Sequence, residues 1–305
     1  MRVLYLVNDR PSFFDQQVEA LSDLGVEPMV LSVPGSRRHE GRRSPRDYLR
    51  FYPSVLRGAL GPVDLVHAHY GLLGPFGLAQ PRPVVLSLWG SELVGGLDRL
   101  RRISEFSARY ASATVVPTRE MQERLPTPSE LIPFGIDTGL FRPIPRRDAR
   151  EQLGWDPDAR IVLFPYDTER AVKDYPLARR AVDRLGLDVE LRTVSGRPYE
   201  EMPLVMNASD ALLVTSRYES GPMVVKEALA CNLPVVSTDV GFVREVLDGV
   251  SHSYVCEGED EIVARLAEVF VSGERSDGRE VYDPASVEET SEALLSLYER
   301  VLARG

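Results

Sequence analysis

The segment ESGPMVVKE, residues 219–227, sets two glutamates eight positions apart around a glycine, a proline and a lysine. It follows the apolar run ALLVTS (211–216) and opens the helical pattern PMVVKEALAC, which Asn232 ends before a further apolar run. A strand, a loop and a helix start therefore meet at the carboxyl edge of a sheet. The free N–H groups and dipole of such a start attract an anion. Pro222 suits the first helical position, and Gly221 lets a phosphate approach the backbone around Pro222, Met223 and Val224. Glu227 does not favour phosphate; its carboxylate suits the two hydroxyls of a ribose, accepted together. Glu219, ahead of the helix, can similarly hold the hydroxyls of a sugar. Taken singly, each glutamate is explained as well by a surface position or by the preference of helix starts for acids.

Of the chain's 36 basic residues, 34 are arginine and only Lys173 and Lys226 are lysine. Lys173 lies with Arg170 in FPYDTERAVKDYPLARRAV, in the loop after another apolar run. Arg and Lys at a sheet's carboxyl edge can clamp a diphosphate, Arg by its fork and Lys as a compact point charge. Lys226 neighbours Glu227 but points about 100° away around a helix, so it is expected to pack or pair on the outer side.

The elements that must position these groups read as α/β. Apolar runs of strand length recur: RVLYLVN, EPMVLSV, DLVHAH, PVVLSLW and ATVVPT, then ARIVLFPY, VELRTV, ALLVTS and PVVSTD. Helical patterns such as FFDQQVEALSDLG, SEFSARYA and PLARRAVDRLG separate most of them. Continuous apolar strands alternating with amphipathic helices imply parallel sheets covered on both faces, and the pattern runs twice. The break falls in FGIDTGLFRPIPRRDAR (134–150), rich in proline and charge. The expected organisation is two Rossmann-like doubly wound domains, 1–143 and 144–285, facing a central cleft, with a helix over 286–305 crossing back toward the first. Such folds bind ligands beyond the carboxyl ends of their strands.

Bulk properties agree with this. A chain of 305 residues exceeds the usual span of one core. No apolar stretch is long enough to span a membrane, and the start MRVLYLVNDRPSFF is a poor signal peptide, which gives a cytoplasmic expectation. The net charge of −10 is uneven: residues 1–145 carry +2 and residues 146–305 carry −12. The acidic half argues against a nucleic-acid partner. Arg37, Arg38, Arg42, Arg43 and Arg46 cluster in loop 37–46, which suits an anionic acceptor or peripheral contact with the inner membrane face, or simply a solvated loop. Cys231 and Cys256 read as buried free thiols.

The stretch ASDALLVTSRYESGPMVVKEALACNLPVVSTDVGFVREVL resembles the donor segment of GT-B glycosyltransferases of family four, whose hallmark glutamates correspond to Glu219 and Glu227. The basic loop RAVKDYPLA, the segment FGIDTGLFRP and the first-half segments FFDQQVEALSDLG and DLVHAHYG resemble the same family, in the same order. The closest flavour is that of teichuronic-acid and other surface-polysaccharide enzymes. The resemblance implies a retaining, EC 2.4-type transfer from a nucleotide-diphosphate sugar, UDP by default, to a glycan or lipid-linked acceptor, with no metal and no further cofactor. Arg170 and Lys173 would stabilise the departing diphosphate, Glu227 the ribose, and Glu219 with the backbone of Ser220, Gly221 and Met223 the sugar and phosphate. Two departures stand out. Trp89 in SLWGSEL replaces a histidine of many relatives, and NDRPSFF replaces their glycine-rich loop.

His67 and His69, at the end of DLVHAH, have the spacing of a metal pair but lack further ligands. They read as contacts to acceptor or sugar, with Trp89, or equally as packing histidines. Asp156–Asp158 (DPD) precedes a strand instead of following one and reads as a turn. Two rival functions keep this architecture: a sugar-nucleotide epimerase, which needs no acceptor, and a non-catalytic partner subunit.

Overall fold

The computed structural model describes residues 1–35, 43–94, 98–194, 196–219 and 221–304. The chain divides into two compact units: Met1–Gly135 with Ala285–Gly305, and Ile136–Pro284. The expected boundaries stood at 143/144 and 285/286.

Among the described residues the first unit holds six strands: β1 (Arg2–Val7), β2 (Glu27–Ser32), β3 (Leu65–His69), β4 (Val84–Ser87), β5 (Ala113–Val116) and β6 (Glu130–Leu131). They form one sheet in the order β2-β1-β3-β4-β5-β6, with every pair parallel. All residues of β3 and β4 are buried, the signature of a strand covered on both faces. The closing helix Val287–Leu302 belongs to this unit. A capping box starts it, Ser286 and Glu289 each taking the other's backbone N–H, which satisfies two donors that a helix start leaves over. Its buried Leu294, Leu297, Tyr298 and Val301 join Val3, Tyr5, Phe14 and Leu21 in one core. Gly135 lets the chain pass close to that helix start, since a Cβ there would lie 2.4 Å from the Ser286 carbonyl oxygen.

The second unit holds β7 (Ile161–Phe164), β8 (Glu190–Thr193), β9 (Ala211–Val214), β10 (Val235–Thr238) and β11 (Tyr254–Cys256). Their order is β11-β10-β9-β7-β8, again all parallel. All nine strand-length apolar runs read from the sequence are strands. The short β6 and β11 lacked the length and periodicity to stand out. In each sheet the strand order reverses beside its first strand, between β1 and β3 and between β7 and β9. In open α/β sheets that is where the loops diverge and leave a crevice at the carboxyl edge.

Candidate active site

In the second unit, the loops leaving β7 and β9 carry the sequence-selected residues to that reversal point. The β7 loop runs through Tyr166 and Arg170 into a single 3₁₀ turn, Ala171–Lys173, before the helix Tyr175–Asp183. The β9 loop runs from Thr215 to Pro222, before the helix Met223–Ala230. Hydrogen bonds stitch the two loops together. The Thr215 hydroxyl donates to the carbonyls of Lys173 at 2.9 Å and Asp174 at 3.0 Å. The Arg217 backbone N–H reaches the Val172 carbonyl at 2.9 Å, and its guanidinium pairs with Asp174.

This stitching places Lys173 against Glu219, and the two form a salt bridge. The Ser216 hydroxyl donates to the same carboxylate oxygen at 2.9 Å. The Lys173 ammonium also sits 3.7 Å from the centroid of the Tyr166 ring, on its face, a cation–π contact strengthened by desolvation. Lys173 is only 4% exposed. Burial lowers its pKa, the Glu219 carboxylate opposes that, and the nearby Arg170 charge adds to it. Burial, then the Glu219 charge, pushes the Tyr166 phenol well above its ordinary range. Arg170 is exposed.

Glu227 lies on the buried side of the Met223–Ala230 helix, with its Oε1 accepting a 3.0 Å hydrogen bond from the Tyr199 hydroxyl. Burial raises its pKa to about 7, opposed by the Tyr199 bond. Ser220 lies outside the described residues. Met223 and Val224 are half-buried, and Pro222 is the residue before the helix, extended at φ −73° and ψ 102°, not its first member. Asn232 ends this segment as expected, in the left-handed region at φ 54°.

A further expectation is corrected here. Lys226 is not on an outer face: it is 3% exposed, its ammonium 4.8 Å from the centroid of the Phe242 ring, and burial lowers its pKa to about 8. The reason is that the short helix packs into the core of the unit on more than one side, so 100° away from Glu227 is still inside. Gly221 has a packing reason for its identity: a Cβ there would lie 2.2 Å from the Phe242 ring.

In the first unit, His67 and His69 end β3 side by side, their ring centroids 4.0 Å apart. His67 is fully buried. Its Nδ1 meets the Tyr298 hydroxyl at 2.6 Å and its Nε2 the Ser87 hydroxyl at 2.7 Å. Both ring nitrogens are thus committed to joining the closing helix to the sheet, which removes His67 from the expected contacts to acceptor or sugar. Burial holds His67 down at about 3, and burial plus its neighbour holds His69 well below the ordinary range, so both rings are neutral. Among the described residues, the buried His69 Nε2 and Trp89 Nε1 have no hydrogen-bond partner. Trp89 is half-buried and sits among the rings of Phe13, His69, Tyr70 and Phe134, at centroid distances of 5.1 to 6.5 Å. Tyr70 adopts φ 81°, a strained value for a residue with a side chain. Glu92, which the sequence did not single out, accepts the backbone N–H of Trp89 at 2.7 Å and of Gly71 at 3.2 Å; burial raises it to about 7.

Arg43 in the Arg-rich loop pairs with Asp9 and also donates to the Asn8 carbonyl, so it is tied to the loop after β1. Arg46 is exposed, and residues 36–42 lie outside the described set. Asp156–Asp158 forms a turn closed by its own side chain, the Asp158 N–H donating to Asp156 at 2.9 Å. Both cysteines are buried and free. Among the described residues no group of three or more His, Cys, Asp or Glu is placed to hold a metal ion, and no helix is long and apolar enough to cross a membrane.

Residues 175–289, which include both glutamates, match the family model described as glycosyl transferases group 1. The two parallel sheets carry the GT-B fold, and this match supports a glycosyltransferase enzyme. It is 27% identical to a D-inositol 3-phosphate glycosyltransferase of Mycolicibacterium gilvum, covering 85% of this chain and 72% of that one. One from Catenulispora acidiphila is 28% identical over 74% of this chain and 67% of its own. Among solved structures, sucrose-phosphate synthase from Thermosynechococcus elongatus superposes with a TM-score of 0.79 at 16% identity, covering all of both chains. Anabaena HepE in complex with UDP and glucose gives 0.69 at 16%, over 100% of this chain and 98% of that one. At such identities the structural likeness establishes the GT-B fold and nothing finer.

Proposed function

We propose that this glycosyltransferase moves a sugar, with retention of configuration, from a nucleotide-diphosphate donor to a hydroxyl of a glycan or lipid-linked saccharide in surface-polysaccharide synthesis, as in family four. The observation that carries the reading is the convergence of Lys173, Glu219 and the helix bearing Glu227 on the strand-order reversal of the second sheet. Arg170 and Lys173 receive the diphosphate as its bond to the sugar breaks. Each such preorganised contact to a developing anion is worth about 3 to 4 kcal/mol of barrier. Glu227 accepts from the ribose hydroxyls, and Glu219 with the backbone from Gly221 to Met223 orients sugar and phosphate. The acceptor oxygen bonds to the anomeric carbon on the face that the diphosphate leaves, and its proton passes to a phosphate oxygen. Anabaena HepE binds UDP and UDP-glucose and a structural relative from E. coli binds a UDP-sugar, whereas a starch synthase IV of Arabidopsis thaliana binds ADP; this supports a nucleoside diphosphate as the carrier, uridine diphosphate by default. Arg46 and its neighbours suit an anionic acceptor or a peripheral membrane surface.

The test is a screen of UDP-, ADP- and GDP-sugars by thermal shift, followed by assay of nucleotide release with and without saccharide acceptors. Acceptor-dependent release, with the anomeric configuration kept in the product by NMR, is the expected result. Conversion of the donor sugar without an acceptor would instead establish the epimerase.

A further inference from the structure

Tyr199 stands outside every motif, in the segment GRPYEEMP that follows β8. It occupies a 3₁₀ turn, Tyr199–Glu201, with its ring edge-on to the fully buried Phe141, centroids 5.2 Å apart. That contact fixes the ring so that its hydroxyl reaches Glu227 Oε1 at 3.0 Å. Glu227 is buried, where an ionised carboxylate is costly unless hydrogen-bonded.

We propose that Tyr199 is the positioning residue of the donor site: its hydroxyl holds the Glu227 carboxylate in its ionised form and turns it to accept from both ribose hydroxyls. The inference rests on the assignment of Glu227 to the ribose. A protonated Glu227 would spend one oxygen as a donor and lose part of its capacity to accept from a diol. A single phenolic bond from outside the helix favours the charged form without adding a cation that would compete for the hydroxyls. No cation is among the causes of the Glu227 shift: burial raises its pKa and the Tyr199 bond lowers it. The Tyr166 phenol and the Cys231 thiol both feel the Glu227 charge. Both are pushed upward and stay neutral through the neutral range. The Tyr199 hydroxyl, 3.0 Å from the carboxylate, therefore favours the ionised form of Glu227 against its burial.

The experiment is calorimetric titration of UDP-glucose, ADP-glucose and GDP-mannose between pH 5.5 and 9. The tightest binder, and its 2′-deoxyribose analogue, are carried forward to the Tyr199→Phe variant. These sugar nucleotides, unlike free diphosphates, do not ionise at phosphate in this range. In the unaltered protein, affinity is expected to fall up to tenfold per pH unit below about 7, and the 2′-deoxy analogue to bind at least fivefold more weakly at pH 8. In Tyr199→Phe the midpoint moves upward, with affinity recovered at pH 9, a recovery that mere loss of packing would not give. An unmoved midpoint in Tyr199→Phe overturns the role of Tyr199 and leaves the ribose assignment intact. A flat pH profile in the unaltered protein, or equal binding of the 2′-deoxy analogue, overturns the ribose assignment itself. Binding of none of the three sugar nucleotides overturns the donor site.

Discussion

Glu227→Gln should make the second unit more stable at pH 8 while it weakens donor binding, and the size of the gain can be worked out. Burial raises the Glu227 pKa from 4.5 to about 7. At pH 5 the folded unit keeps the proton at little cost. As the pH rises from about 4.5 through 7, the unfolded chain has released its proton while the folded one retains it, so stability falls across that window and the full cost is reached above the folded pKa. A shift of about 2.5 units corresponds to about 3 kcal/mol. Glutamine keeps an oxygen for the Tyr199 hydroxyl and carries no charge, so the stability difference between variant and parent should grow by about 2.5 kcal/mol from pH 5 to pH 8, part of the cost being present already at pH 5. The chain has two tryptophans, Trp89 in the first unit and Trp155 in the second. In a Trp89→Phe background, urea unfolding followed by fluorescence therefore reports on the second unit alone. A variant-to-parent difference that stays constant within 1 kcal/mol over this pH range would refute the reasoning.

Two further outcomes follow from the packing. Lys173→Ala should abolish turnover and also lower stability by about 1 to 3 kcal/mol, because it leaves the largely buried Glu219 carboxylate without its cation. Lys173→Met with Glu219→Gln should regain most of that stability and none of the activity, as read by urea unfolding beside a nucleotide-release assay. Gly221→Ala should cost about 1 to 3 kcal/mol by overpacking against Phe242. Comparison with the same change in a Phe242→Ala background, by thermal unfolding, should show most of that increment gone.

Much of the architecture was legible because parallel strands covered on both faces leave a mark in the sequence. ALLV of β9 and IVLF of β7 are apolar at every position and buried at every position. The donor-side residues were legible for a related reason: the helix start after β9 and the loop after β7 are consecutive with their strands, so their place at the carboxyl edge follows from topology. The site's internal partners were not. Tyr199 meets Glu227 across 28 residues and Ser216 meets Glu219 within one loop, and neither pairing leaves a periodicity to read.

The sequence by itself determined the two repeated α/β units, the strands within them, and the chemical types set at the second sheet's edge. Chain-local patterning dictates these, since burial on both faces and helix-start chemistry are properties of neighbouring residues. Only the tertiary structure decided which of those residues are committed to each other. It bound His67 to Tyr298 and Ser87, put Lys226 under Phe242, and gave Gly221 a ring to accommodate. It also closed Lys173 on Glu219 and Tyr199 on Glu227. Those pairings depend on which elements pack together, and distance in space, not spacing along the chain, sets their energies.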